Sequence, residues 1–349
     1  MDRSLPEPIP TVDAQGAQDV DDVDDVEGAE GAGGAEASQE RRAADLRACH
    51  AILVHGSKSF VAASRMLPSR LHDRTAALYA FCRVADDAVD LGTDVHAAIA
   101  RLHQRLDRIY AGQPENDAVD RAFCSVVEEC GIPQAIPRAL IEGFEWDAER
   151  RRYTSQEDLE AYCARVASTV GVMMTLLFGE RSPVLLARAC DLGLAMQLTN
   201  ICRDVGEDAR AGRVYLPLDW LAEAGVDVDA LVASPTISPA LASVVKRMLV
   251  LADSCYRRAD RGMTLFPYDC RLGVRAARLI YAEIGRVIAK HDYDSVSTRA
   301  YTSKARKLVL LARALPILLC RRRTNDEPPN PAVKFLVEAV DQAGVDQAG

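Results

Sequence analysis

From about residue 41 to about residue 323 nearly every segment repeats its apolar residues at intervals of three and four, and strand-like alternation is rare. This confines the chain to helix-on-helix architecture, because each such segment carries an apolar stripe that must be buried against another helix. In "DVHAAIARLHQRLDRIYAG" the stripe is Ile99, Leu102, Leu106 and Ile109, Gly112 ends it, and Pro114 prevents continuation. The same pattern recurs in "DRAFCSVVEECG", "IPRALIEGFEWDAER", "DLEAYCARVASTVGVMMTLLFG", "SPVLLARACDLGLAMQLTNICRDV", "SPALASVVKRMLVLADSCYRRADRGMTLF" and "CRLGVRAARLIYAEIGRVIAKH". No repeat of solenoid length is visible. The expectation is an all-α single helical bundle of about ten helices around one interior.

The 349 residues suffice for one large core, and no long polar linker interrupts the middle. Residues 1–40 are acidic, rich in Gly and Ala and nearly devoid of large apolar side chains, so they are expected to be disordered. From "TNDEPPNPAV" onward prolines break the chain again; residues 324–349 read as a flexible tail in which "AVKFLVEAV" is able to form one short helix. A net charge of −9 makes nucleic acid a poor partner. Ten scattered cysteines without a CxxC pair, and no recognisable signal peptide, point to a reduced, cytoplasmic setting. "LVLLARALPILLC" is too short and too interrupted, by Arg313 and Pro316, to span a bilayer. Flanked by "SKARK" and "RRR", it fits either a basic, apolar helix lying on the inner membrane surface or a core helix with basic ends.

Two polar rows stand out. Gln197, Asn200, Asp204 and Asp208, spaced by three, four and four, share one helical face, beside an apolar stripe of Leu194, Leu198, Ile201 and Val205. Upstream, Tyr79, Arg83, Asp86 and Asp90 do the same, with Asp87 beside them. Carboxylates at i and i+4 repel each other. A divalent cation would compensate: Mg²⁺ takes oxygen ligands and is held by one or two carboxylates together with substrate phosphates. One DxxxD pair alone is ordinarily a solvated face. Two, in apolar helices and each beside an arginine suited to bidentate phosphate recognition (Arg83, Arg203), point to metal and diphosphate. Gly206, at a helix cost of roughly 1 kcal/mol, suggests loosening or close approach.

"YAFCRVADDAVD" and "LGLAMQLTNICRDVGEDARAGRVYLP" closely resemble the two signature regions of the phytoene synthase and squalene synthase family, and residues 47–315 as a whole resemble its bacterial phytoene-forming branch. "GSKSF", "YCARVASTVG" and "STRAYTSKARKL" match in the family's order. The resemblance implies an isoprenoid synthase fold and Mg²⁺-dependent head-to-head condensation of two geranylgeranyl diphosphates, with Mn²⁺ as a substitute ion. One substrate ionises and its allylic cation alkylates the other to a cyclopropylcarbinyl (prephytoene) diphosphate. This ionises, rearranges and loses a proton to give 15-cis-phytoene, the first committed step of carotenoid biosynthesis.

By that likeness Asp86, Asp90, Asp204 and Asp208, with Asn200, are the metal ligands; Asp87 and Glu207 point about 100° away from the rows. Arg83, Arg203 and Arg299 match diphosphate-side positions, and Arg213 in "RAGRVYLP" fits a phosphate clamp or an exposed loop residue. Ser57, Lys58, Ser59 and Phe60 of "GSKSF" either face diphosphate or cap a helix. Tyr79, Tyr162 and Tyr281 offer ring faces to a carbocation or simply pack. Val166, Ala167, Val170, Gly171 and Met174 fit a dry pocket for the chains or close helix contact. Other carotenoid-pathway enzymes and the membrane surface are the implied partners. No NADPH is expected, since no Rossmann-type glycine motif follows a strand, although reducing family members need none. The alternatives are a squalene or dehydrosqualene synthase using farnesyl diphosphate, and a non-catalytic isoprenoid-binding scaffold.

Overall fold

The computed structural model of the chain describes residues 30–90, 94–321 and 327–346, with the side chains at 30–35, 58, 90, 345 and 346 outside that description. The described segments run α1 (Glu30–Gly56), α2 (Lys58–Ser64), α3 (His72–Asp90), α4 (Val95–Tyr110), α5 (Ala118–Cys130), α6 (Ala135–Ala148), α7 (Gln156–Cys163) and α8 (Thr169–Leu177). They continue with α9 (Pro183–Arg210), α10 (Leu218–Glu223), α11 (Val228–Ala233), α12 (Pro239–Gly262), α13 (Arg271–Lys290), α14 (Lys304–Ala314) and α15 (Lys334–Asp346). No strand occurs among the described residues, so the architecture is all-α. No helix among them is long and apolar enough to cross a membrane. Contacts divide the chain into residues 1–41 and 42–349, and α2 to α15 all belong to the second unit. Of the first unit, residues 1–29 lie outside the described part, and helix begins at Glu30, within the stretch expected to be disordered.

Local chemistry sets the helix ends. The Asp94 carboxylate accepts the Ala97 N–H at the start of α4, Ser155 and Asp158 form a reciprocal capping box on α7, and Gly112 (φ 69°) stops the chain after α4. At the centre is α9, with 18 of its 28 residues buried and packed by α12, α8, α13, α7 and α15. Gly193 permits this: a Cβ there would meet Ser168 Cα at 2.7 Å. Two expectations need correction. The segment read as one helix from "DLEAYC" to "TLLFG" is interrupted by a π turn, Ala164–Ser168, between α7 and α8. The C-terminal tail, expected to be flexible beyond 323 apart from one short helix in "AVKFLVEAV", packs that helix as α15 and buries Val333, Leu336, Val337 and Val340. Those residues recur at helical spacing and find apolar partners on α6, α8 and α9, which offsets the ordering cost that the preceding prolines suggested could not be met.

Candidate active site

A cavity of about 260 Å³ lies between α2, the π turn with α8, α9 and α13. The π turn supplies Val166 and Ala167, α8 supplies Val170, Gly171 and Met174, and α2 contributes Phe60. Leu192, Gly193 and Met196 come from α9, Val274, Ala277 and Tyr281 from α13. A π turn admits one extra residue per turn and re-aims side chains, and it recurs at functional sites. The apolar stretch ends at Gln197 and Asn200, two turns and one turn before Asp204 on the same helix. Asn200 Nδ2 donates to Gln197 Oε1 at 3.4 Å, and its Oδ1 is buried without a hydrogen-bond partner.

Beyond Asn200 the site is ionic. Asp204 accepts from Arg203 (Nε 2.8 Å, Nη2 2.5 Å) and from Arg299 (Nε 2.8 Å, Nη2 3.2 Å). Burial raises the Asp204 carboxyl's pKa, but hydrogen bonds and charge from the two guanidiniums prevail and hold it below the usual carboxylate range. Asp208, one turn on, behaves oppositely: burial and then the Asp204 charge push it up to about 7, against the attraction of Arg213. Arg299 reaches Glu207 as well, at 3.4 Å. It is carried by the loop after α13, which docks on α9 at Gly206, whose N–H donates to Ser295 O at 3.1 Å. A Cβ at Gly206 would stand 2.7 Å from Val296 Cα and O, so the glycine serves close approach.

On α3, Arg83 holds Asp87 bidentately (Nε 3.0 Å, Nη2 2.6 Å) and stands 3.6 Å from Asp86. Asp87, off the row by helical angle, is therefore the main partner of Arg83. The side chain of Asp90 lies outside the described residues, as does that of Lys58. Tyr79 packs on Phe60 with ring centroids 5.2 Å apart, and burial pushes its hydroxyl up to about 12. Burial raises the Tyr281 hydroxyl as well, and the nearby positive charges of Arg83 at Tyr79 and of Arg203 at Tyr281 oppose the two rises. Ser57 caps α2, accepting the Phe60 N–H at 3.2 Å, while Ser59 is half-buried on α2.

Tyr162 does not line the cavity. Its hydroxyl donates to Asp147 at 2.7 Å, the Tyr215 hydroxyl donates to the other oxygen of Asp147 at 2.6 Å, and both rings pack on Tyr153. Asp147, on α6, is the second carboxylate raising Asp208, after Asp204, and was missed in the sequence, where it is one acid among several in "EGFEWDAER" with no paired spacing. Arg213 shares a small niche with Asp208 and Tyr215. Among the described residues no three His, Cys, Asp or Glu side chains cluster tightly enough to form an all-protein metal cage. The donors present still suit Mg²⁺: hard oxygens only, an unpartnered buried amide oxygen at Asn200, and an Asp208 carboxylate crowded by other negative charge.

The family model for squalene/phytoene synthase matches residues 53–306. The chain belongs to that family. It is 51% identical over 305 residues to a phytoene synthase of Rhodobacter capsulatus, covering 85% of this chain and 90% of the relative. Against a phytoene synthase of Cereibacter sphaeroides it is 48% identical over 316 residues, covering 86% and 89%. A crystal structure of a dehydrosqualene synthase in complex with ligand superposes with a TM-score of 0.74 at 32% identity, covering 80% of this chain and 98% of that one. As a member of the squalene/phytoene synthase family, the chain is an enzyme that transfers prenyl groups.

Proposed function

We propose that the chain is a 15-cis-phytoene synthase that condenses two geranylgeranyl diphosphates head to head. The observation that carries this reading is an apolar cavity ending at Gln197 and Asn200 of the same helix that bears Asp204 and Asp208, in a chain half identical to phytoene synthases along most of its length. The apolar walls receive the prenyl chains and exclude water, which would quench an allylic cation. Arg83, Arg203, Arg299 and Arg213 place positive charge where the leaving diphosphate develops its own. Asp86, Asp90, Asn200, Asp204 and Asp208 would hold Mg²⁺, or Mn²⁺ in its place; the bound ion supplies further charge to the leaving diphosphate. The faces of Phe60, Tyr79 and Tyr281 can stabilise a cation between the ionic end and the cavity. Asp147, fixed by the hydroxyls of Tyr162 and Tyr215, keeps a negative charge near Asp208.

Incubating the purified chain with geranylgeranyl diphosphate and Mg²⁺ should yield phytoene without NADPH, and farnesyl diphosphate should be turned over more slowly. Asp86→Asn and Asp204→Asn should lower the rate by ~10²–10³-fold while leaving the helical content intact. A C30 product formed in preference, or wild-type rates in both variants, would refute the assignment.

A further inference from the structure

Resting on that reading, we propose that the C-terminal segment from Glu327 through α15 is a strap that fixes the π turn against α9, and that Glu327, Asn330 and Phe335 are positioning residues through which the cavity discriminates prenyl chains by length. The wall concerned is closely fitted. A Cβ at Gly193 would meet Ala167 O at 2.8 Å, one at Gly171 would meet Ala189 O at 2.7 Å, and Ser168 Oγ donates to Cys190 O at 2.9 Å. The π turn also docks on α6, where a Cβ at Gly143 would stand 2.6 Å from Val166 Cγ1. Among these contacts lie Val166, Ala167, Ala189 and Leu192, which line the cavity.

The strap holds the outer side of the same pieces at three points. The Glu327 carboxylate accepts from Arg188, Arg258 and Arg261 at 3.1, 2.6 and 2.5 Å, and Arg188 Nη2 donates to the carbonyls of Glu327 and Pro328, each at 3.1 Å. Arg188 and its ion-pair partner Asp191 are fully buried on α9 and adjoin Ala189 and Leu192 in the chain, so the anchor bears on the stretch of α9 that forms the wall. Asn330 Nδ2 donates to Glu160 of α7 at 2.8 Å, one turn before the π turn, while its Oδ1 accepts the Ala332 N–H at 2.9 Å in the 3-10 turn Pro331–Val333. Phe335 of α15 offers its ring to Arg165 of the π turn itself, 5.2 Å from guanidinium carbon to ring centre, and Arg165 also stacks on Trp146 at 4.2 Å and pairs with Glu142 at 2.9 Å. Burial of Leu336 and its neighbours explains why α15 packs. It does not explain why the polar anchors converge on the two elements that wall the cavity. Position gives the role: Arg188 precedes Asp204 by about 24 Å of helix. A chain held by its diphosphate at the ionic end reaches the strapped wall only when it is long, so the strap acts on the far end of the substrate and not on ionisation.

Two variants test this. Asn330→Asp keeps the acceptor for Ala332 but turns a carboxylate oxygen toward Glu160, and Phe335→Ala removes a ring that is 37% exposed, so both should retain cooperative unfolding. In each, kcat/KM for geranylgeranyl diphosphate relative to farnesyl diphosphate should fall about tenfold, the effect of losing a methylene-sized apolar contact. The Kd of inorganic diphosphate in the presence of Mg²⁺ should stay at the wild-type value, and Phe335→Tyr should keep the wild-type ratio. Independently of turnover, the backbone amides of Ala164–Ser168 should exchange faster with deuterium in both variants, and those of α4 should not. A lower Tm with an unchanged substrate ratio would leave the strap a stability element and overturn the proposal. So would an equal fall for both substrates together with weaker diphosphate binding, which would place the disturbance at the ionic end. A wild type that condenses neither substrate would refute the enzymatic reading, whereas unchanged exchange at Ala164–Ser168 would refute the strap whatever the substrate.

Discussion

Single residues in this site act through what they hold apart or together. Gly206 lets the loop bearing Arg299 lie on α9, so Gly206→Ala must push Val296 away and move the guanidinium off Asp204. The expected outcome is a rise in KM for the diphosphate substrate of about tenfold, the size of one lost charge-assisted hydrogen bond, together with a lower Tm. Arg299→Ala should give the kinetic effect without the fall in Tm, which separates lost charge from lost docking. Asp191 illustrates a different balance. Ion pairs with Arg188 at 3.2 Å and Arg258 at 3.0 Å lower its pKa, yet burial outweighs them and lifts it from 3.8 to about 6. Between those values the folded state binds more proton than the unfolded, so the contribution of Asp191 to stability declines as pH rises from about 4 to 6. Wild type should therefore gain stability relative to Asp191→Asn as pH is lowered across that window, read from urea unfolding at each pH. A difference that does not change with pH would show that pairing, and not burial, governs this carboxyl.

At the scale of elements, α15 shows what periodicity alone leaves undecided. Leu336 is fully buried, and Glu327, just before the helix, accepts from Arg188, Arg258 and Arg261 at 3.1, 2.6 and 2.5 Å. Leu336→Ala is expected to cost ~2–5 kcal/mol in denaturant unfolding. Removing residues 327–349 should cost more than that, because Arg188, fully buried, would lose its Glu327 partner. A truncated chain with wild-type Tm would show that α15 is only an appendage. The sequence made the long amphipathic helices legible: Ile99, Leu102, Leu106 and Ile109 mark the buried side of α4 to within a turn, and Gly112 its end. It showed "AVKFLVEAV" as one short helix but concealed that this helix, α15, is packed, because the prolines at 328, 329 and 331 resemble a linker until partners on α6, α8 and α9 are known. It also concealed the π turn, since one extra residue hardly disturbs the apolar period of "VASTVGVMM" while turning Val166 and Ala167 into the cavity. The aspartate rows were legible because helical spacing alone puts their members on one face. Asp147 was not, because only packing of α6 brings it to Asp208.

For the whole molecule, the ionic end of the site is assembled from segments far apart in the chain: Asp204 and Asp208 on α9 and Arg299 on the loop beyond α13, to which the proposed function adds Asp86 on α3. Nothing in one segment fixes its distance from the others, and the carboxylates repel. Arginines already neutralise part of this charge, so diphosphate alone would compete with Asp204 for Arg203 and Arg299. A cation gives the carboxylates another partner and frees those guanidiniums for phosphate oxygens. Mg²⁺ and inorganic diphosphate are therefore expected to stabilise the fold cooperatively. At a ligand concentration ~100 times Kd, mass action adds ~2.7 kcal/mol, which should raise Tm by several degrees. Either component alone should give little of that rise, EDTA should reverse it, and the Asp86→Asn/Asp204→Asn double variant should lack it while keeping a cooperative transition. A full rise with diphosphate in the presence of EDTA would mean that the arginines alone hold the anion, and that the two acid rows serve to position arginine and not to bind metal.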